Sequence, residues 1–392
     1  MNKILLLAIA IFTGHFLFAQ SAVPAVLSAI EENNTTLKAL RENVEAQKLD
    51  NVTGIYLPNP EVEFNYLWGN PNNIGNRNDI SVRQTFDFAT VTGVKKKISG
   101  QRNSLLELQY KSERLDILLQ ARQYCLDLVY YNALKQELDR RLEHATTLAG
   151  GYKNRLDKGD ANILEYNKAQ LNLATVKGEI ASVETERLSI LAELKRLNGG
   201  VALTLDDSEY DDATFPNNFD EWYADAEQSN PVLEYVKQEV EIAKTQIALN
   251  KTLSLPNFSA GFMREKVVGE AYQGISLGIS IPLWENKNRV RQARAALKAN
   301  EAKQSDARLQ FYEYIRNLYA RAKSLQTTAL EYKQSLSSLN STDLLKKALD
   351  AGEISLLDYI VELGLYYNTV NLKLNAEKEF QKTLAELWKV KN

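Results

Sequence analysis

Imidazole and thiol are scarce in this 392-residue chain: His15 and His144 are its two histidines and Cys125 its single cysteine. A histidine-based zinc site needs several such ligands, and a hydrolase triad needs an imidazole between nucleophile and acid, so neither can be assembled. Gly93-Val-Lys95 lacks the glycine spacing of a phosphate-cradling loop. One thiol cannot make an internal disulfide, and Cys125, inside a long helical pattern, reads as a small core residue. His144, alone on a helix, reads as a surface residue. What remains is a set of charges at alternate positions of short runs: Glu61 and Glu63, then Asp79, Arg83 and Asp87. Charges repeated in this way on the wall of a wet pore select ions rather than break bonds. The chain is therefore expected to be no enzyme and to carry no cofactor.

The runs that hold these charges have a period of two. Val62, Phe64, Tyr66 and Trp68 alternate with Glu61, Glu63, Asn65 and Leu67; after an Asn/Gly/Pro-rich loop, Ile80, Val82, Phe86 and Phe88 alternate with Asp79, Ser81, Arg83, Thr85 and Asp87. Farther along, Phe258, Ala260 and Phe262 interleave with Ser259 and Gly261. Ile275, Leu277, Ile279, Ile281 and Leu283 interleave with Gly274, Ser276, Gly278 and Ser280. Such alternation predicts strands with one apolar and one polar face. Four strands cannot close a barrel, and an open edge in lipid leaves backbone groups unpaired, so several chains must pool their strands. The apolar face then looks to lipid and Glu61, Glu63, Asp79, Arg83 and Asp87 to the lumen. Tyr66, Trp68, Phe88 and Trp284 suit the membrane interface. The other reading is a soluble hairpin packed on a core, which leaves unexplained why it occurs twice at the same point.

It occurs twice because the chain repeats itself. Leu156-Asp-Lys-Gly159-Asp160-Ala-Asn-Ile-Leu164-Glu165-Tyr166 returns as Leu349-Asp-Ala-Gly352-Glu353-Ile-Ser-Leu-Leu357-Asp358-Tyr359. Leu57-Pro58-Asn59 returns as Leu255-Pro256-Asn257, and Asn34-Thr-Thr-Leu37 as Asn230-Pro-Val-Leu233. The expected division is a first repeat over 20–199, an acidic inter-repeat linker over 200–229 and a second repeat over 230–392. Each copy reads helix, strand, strand, helix, with opening helices over about 22–52 and 231–252. The remainder is long helix. From Tyr166 the apolar positions Ala169, Leu173, Val176, Ile180, Val183, Ile190, Leu194 and Leu197 keep a repeat of threes and fours, with Arg187 the one polar intruder. Leu318, Ala322, Leu325, Ala329, Tyr332, Leu336 and Leu339 do the same. A sustained 3.5-residue repeat predicts left-handed coiled-coil packing. The stretch from Thr92 to Leu148 would extend about 85 Å as helix, with turns near 150–161 and 340–355.

Lys3, the apolar run Ile4 to Ile11 and Phe16-Leu17-Phe18-Ala19 have the layout of a cleavable export signal, expected to end at Ala19 and so to span 1–19. Beyond it no apolar stretch approaches the ~20 residues of a spanning helix. A formal net charge of −3 gives no electrostatic reason to expect nucleic acid as a partner.

Across essentially its whole mature length the chain resembles the TolC-like outer-membrane efflux proteins. The most specific pieces are Ile279-Ser280-Ile281-Pro282-Leu283-Trp284, leading into a helix with Arg289, Arg291, Ala293, Arg294, Ala295 and Ala296, and the Gly-x-x-x-x-Leu-[Asp/Glu]-Tyr segment at Gly159 and again at Gly352. The resemblance implies a mainly α fold with membrane β-strands: two tandem repeats, a long coiled-coil helical barrel, and four strands per chain of a β-barrel shared by a homotrimer. It implies a location in the outer membrane with a long periplasmic extension, and partners in outer-membrane lipid, a periplasmic adaptor and an inner-membrane pump. In that setting Gly159, Asp160, Gly352 and Glu353 would form adaptor-docking tips, and Glu165 and Asp358 would line the periplasmic aperture. A second aperture acid would fall at Val361, which is not acidic here. The expected role is passive efflux of small molecules or metal ions. The alternatives are the exit duct of a type I protein-secretion system and an exported coiled-coil scaffold or adaptor without a channel.

Overall fold

The computed structural model describes residues 22–71, 74–87, 90–212, 214–338 and 342–390; the expected leader and Phe88 lie outside them. The first half runs α1 (Val23–Asn33), α2 (Thr35–Val52), β1 (Glu61–Leu67), β2 (Arg77–Phe86), α3 (Val91–Lys158) and α4 (Ile163–Leu197). The second runs α5 (Phe219–Ser229), α6 (Pro231–Thr252), β3 (Asn257–Val267), β4 (Glu270–Ser280), α7 (Arg289–Ser338), α8 (Thr342–Asp350) and α9 (Leu356–Lys389). No helix among the described residues is long and apolar enough to cross a membrane.

The motifs shared by the two halves are element boundaries. Asn34 caps α2, its Oδ1 accepting from the Leu37 N–H at 2.9 Å. Asn230 caps α6 in the same way, accepting from Val232 and Leu233 at 2.8 and 3.0 Å with Pro231 in the first turn. A helix start has orphan N–H groups and asparagine satisfies them, which explains why this residue stands at both positions. Leu57-Pro58-Asn59 and Leu255-Pro256-Asn257 lie where the chain passes from helix to strand, as proline's missing donor and its effect on the preceding residue favour.

Two compact units are built from interleaved segments. Of the described residues, the first takes those within 22–33, 121–212 and 336–378, and the second those within 34–120, 214–335 and 379–390, so each draws on both halves of the sequence. In the first unit α4 buries Ala169, Val176, Val183, Ile190 and Leu197, every seventh residue, as its heptad pattern requires. Arg187, the polar intruder, donates from Nε to Asn132 Oδ1 at 2.8 Å and pairs with Glu184. Asn132 in turn donates to the carbonyls of Leu205 and Asp207, tying the chain after α4 back to α3. The expected turn from residue 150 begins later, because α3 continues through Gly150 and Gly151 to Lys158. Glycine costs about 1 kcal/mol in a helix, but the flanking Ala149 and Tyr152 are buried against Ala169 and Leu356, and that packing holds the turn helical.

In the second unit the acidic stretch expected as a linker contains α5. Asn218 caps it, Asp220 and Glu221 favour its N-terminal dipole, and Trp222 and Ala226, one turn apart, are buried. Around it Phe215, Phe219, Tyr223, Tyr312, Tyr319 and Phe380 form a continuous set of ring contacts. Helix α7 contributes Ile315, Leu318, Ala322 and Ala329 to the core.

Candidate functional site

All four strands lie in the second unit as one antiparallel sheet of order β1-β2-β3-β4, open at β1 and at β4. Pairing in register sorts the residues into two faces. Val62, Val82, Phe262 and Ile275 form one uninterrupted row across the sheet, and Phe86, Phe258 and Ile279 another. These side chains are uncovered: Ile275 is 81% exposed, Leu277 79% and Val62 72%. So large an apolar face left open marks a surface made for lipid or another chain. One residue along, Glu61, Arg83, Gly261 and Ser276 form a row on the opposite face.

Glu61, Glu63, Asp79 and Arg83 share that polar face. It also holds Arg77 and Glu265, which were not singled out in the sequence. Arg77 pairs with Asp79 at 2.9 Å and with Glu265 at 3.0 Å, relieving two carboxylates that face each other across β2 and β3. The alternation of β2 could have pointed to Arg77, and that of β3 to Glu265. Asp87 lies just past the end of β2 and takes the Lys95 ammonium at 3.4 Å. On β4 the polar face is Gly274, Ser276, Gly278 and Ser280. A Cβ on Gly278 would stand 2.6 Å from Ser259 Oγ, and one on Gly261 2.4 Å from the Val82 carbonyl oxygen. Gly261 fills a position where the neighbouring backbone approaches too closely for a side chain, and Gly278 one that the Ser259 hydroxyl occupies.

Aromatic residues mark both ends of the apolar face. Tyr66 stands on it, and Trp68, one residue beyond β1, meets the Tyr66 ring edge-on at 5.5 Å. Trp284 follows β4 by four residues and is 80% exposed. The strand expected to continue through Leu283 ends at Ser280, the pairing of β3 and β4 stopping at Asn257 and Ser280, just after Pro256 and just before Pro282.

The tips lie in the first unit. Gly159 has φ +79° and Gly352 φ +74°, the left-handed region in which glycine avoids a Cβ clash. Around each the same pair of bonds closes the helix: Asp160 N–H to Arg155 O and Gly159 N–H to Leu156 O, then Glu353 N–H to Ala348 O and Gly352 N–H to Leu349 O. These are two Schellman caps. The helix beyond each is opened by a capping box. Asn162 Oδ1 accepts from the Glu165 N–H while Glu165 Oε2 accepts from the Asn162 N–H, both at 3.0 Å. Ser355 and Asp358 repeat the exchange at 3.1 and 3.2 Å, and the Ser355 hydroxyl donates to Asp358 Oδ2 at 2.6 Å. That hydroxyl, and then the Ser355 backbone N–H, hold the Asp358 carboxyl below its usual range. Both acids thus have a local task, legible in the spacings Asn-x-x-Glu and Ser-x-x-Asp. Between α7 and Gly352 the tip also contains α8.

No protein-family model and no curated protein matches the sequence. Solved structures do. A membrane protein from Pseudomonas aeruginosa matches with a TM-score of 0.80 at 13% identity, over 95% of this chain and 90% of that one. The CmeC outer membrane channel of Campylobacter jejuni matches at 0.74 and 16% identity, over 94% and 85%. The outer membrane protein VceC of Vibrio cholerae matches at 0.75 and 12% identity, over 94% and 96%. Identities this low speak to architecture, and by its architecture the chain has the fold of the TolC-like outer-membrane channels.

Proposed function

We propose that the protein is the outer-membrane duct of a tripartite efflux system, a passive exit for small molecules or metal ions. One observation carries this reading: a four-stranded sheet with one largely apolar face, one charged face and two unpaired edges, set between long helices. Edges of this kind are satisfied in lipid by closure alone. Three copies would supply twelve strands, the number the family resemblance suggests. In this reading Glu61, Glu63, Asp79, Arg83 and Asp87 line the lumen. Tyr66, Trp68 and Trp284 sit at the lipid interface. The Gly159-Asp160 and Gly352-Glu353 tips dock a periplasmic adaptor, and Glu165 and Asp358 narrow the aperture. The energy for transport comes from an inner-membrane pump engaged through that adaptor.

Purified mature protein, added to a planar lipid film, is expected to give discrete conductance steps, and its detergent complex to have the mass of a trimer. A polypeptide that stays monomeric and water-soluble without detergent, and passes no current, overturns the proposal.

A further inference from the structure

The outward face of the sheet is apolar along most of its height and then changes character near the strand turns. On β3 it reads Phe258, Ala260, Phe262 and then Arg264 and Lys266, all at alternate positions. Both cations are exposed. The row of Arg264 also contains Phe64, Ile80 and Gln273; the row of Lys266 contains Tyr66, Asn78 and Ala271. The first cation therefore stands at the edge of the apolar band, and the second one pleat repeat farther, about 7 Å along the strand.

Charge is divided unequally between the faces. On the strands, Glu61, Glu63, Asp79, Glu265 and Glu270 all lie on the inward face, and no carboxylate stands on the outward one. Arg264 and Lys266 are thus the charged groups of the lipid-facing surface, with no acid on that face of the strands to neutralise them. An Arg or Lys is costly at the bilayer midplane of a barrel and nearly free at the interface. Tyr66, two strands away in the row of Lys266, and Trp68, in edge contact with it, are the residue types that settle at headgroup level. A guanidinium forks onto phosphate and an ammonium attracts it as a point charge.

We infer that Arg264 and Lys266 form a binding rim for the phosphate-bearing headgroups of outer-leaflet lipid. This rests on the membrane orientation proposed above: α2, α3, α6 and α7 all join the strands at one end, so with the helices in the periplasm the opposite strand ends, at Leu67, Arg77, Val267 and Glu270, face outward. Each cation near an anionic headgroup favours it about fivefold. Losing both should lower the preference about 30-fold.

The test uses the full mature channel, reconstituted in phosphatidylcholine vesicles with or without a minor fraction of phosphatidic acid, then extracted and weighed by native mass spectrometry to count retained phosphatidic acid. Wild type should retain it. Arg264→Gln with Lys266→Gln should lose it about 30-fold while still conducting, the exchange Arg264→Lys with Lys266→Arg should restore it, and Arg83→Gln, on the other face, should leave it in place. A glutamine pair that retains phosphatidic acid as wild type does, or an Arg83→Gln channel that loses it equally, overturns the inference while the channel reading stands. Wild-type protein that never enters the vesicles overturns both.

Discussion

The guanidinium carbon of Arg141 lies 4.3 Å from the centre of the Tyr367 ring, and its Nη2 donates to the Tyr367 carbonyl oxygen at 3.2 Å and to Asn371 Oδ1 at 2.9 Å. Arg141 is 4% exposed and also pairs with Glu137 at 3.1 Å. One buried cation thus ties α3 to α9 through a ring, a carbonyl and an amide, while Glu137 holds it from within α3. Removing it leaves those groups unpaired, and Arg141→Ala should cost about 3 kcal/mol in thermal or denaturant unfolding. Asn371→Ala should cost about 1 kcal/mol. Tyr367→Phe should stay near wild type, since it removes only the hydroxyl that meets His144 at 3.1 Å.

The tips carry a second prediction. Asn162→Ala and Ser355→Ala each remove a cap and should destabilise the local helix start by about 1 kcal/mol. Gly159→Ala and Gly352→Ala place a Cβ in the left-handed region, at a cost of about 1–2 kcal/mol, and Asn at either position should recover part of it. Amide exchange in residues 155–166 and 348–359 reads these changes; a tip that keeps wild-type protection in all four variants contradicts the cap assignment.

The lowered pKa of Asp358 fixes the sign of a pH effect. A carboxylate whose folded pKa lies below its unfolded value contributes stability that is complete above the unfolded value and is lost as pH falls through the folded one. The start of α9 should therefore hold its exchange protection through mildly acidic pH and lose it only below the usual carboxylate range. In Asp358→Asn that acid-dependent loss should vanish. If Asp358 also lines the aperture, the same variant should reduce the preference for cations in a planar film.

Ile275 and Ser276 are neighbours on β4 whose side chains lie on opposite faces. Ile275→Arg should oppose membrane insertion by about 2–4 kcal/mol. Ser276→Arg should insert normally and shift reversal potentials toward anions. Equal insertion defects in the two would remove the basis for an inner and an outer face.

Burial pushes the Cys125 thiol up to about 12, leaving almost no thiolate at neutral pH. A maleimide should not modify the folded protein at pH 8 and should modify it fully in denaturant.

The strands and the coiled-coil helices were legible in the sequence because both are set by period. The alternation at 61–68, 258–262 and 274–280 and the seven-residue spacing from Ala169 to Leu197 survive as the faces of β1, β3, β4 and α4. Helix ends were less legible, since tertiary contacts decide them. Gly150 and Gly151 read as a stop, yet Ala149 and Tyr152 hold them in α3. The acidic stretch over 200–229 read as a linker, and within it Trp222 and Ala226 anchor a helix. At the candidate site, the charges of β1 and β2 could be read from their alternation. The Arg77 pairs required the register with β3, a partner far away in sequence.

The interleaving of the two units governs the order in which the chain can become whole. Strand β2 ends at Phe86 and must wait for Phe258 to be translated before its neighbour exists, while the first unit lacks a wall until residues 336–378 emerge. Contacts of such long separation form slowly. During that interval the nascent β1–β2 hairpin presents Val62, Phe64 and Val82 with nothing beside them, a form prone to stick to its own kind. Completing the sheet is thus a problem of custody as much as of folding: an unfinished molecule must be kept apart from others until its last helix has been made.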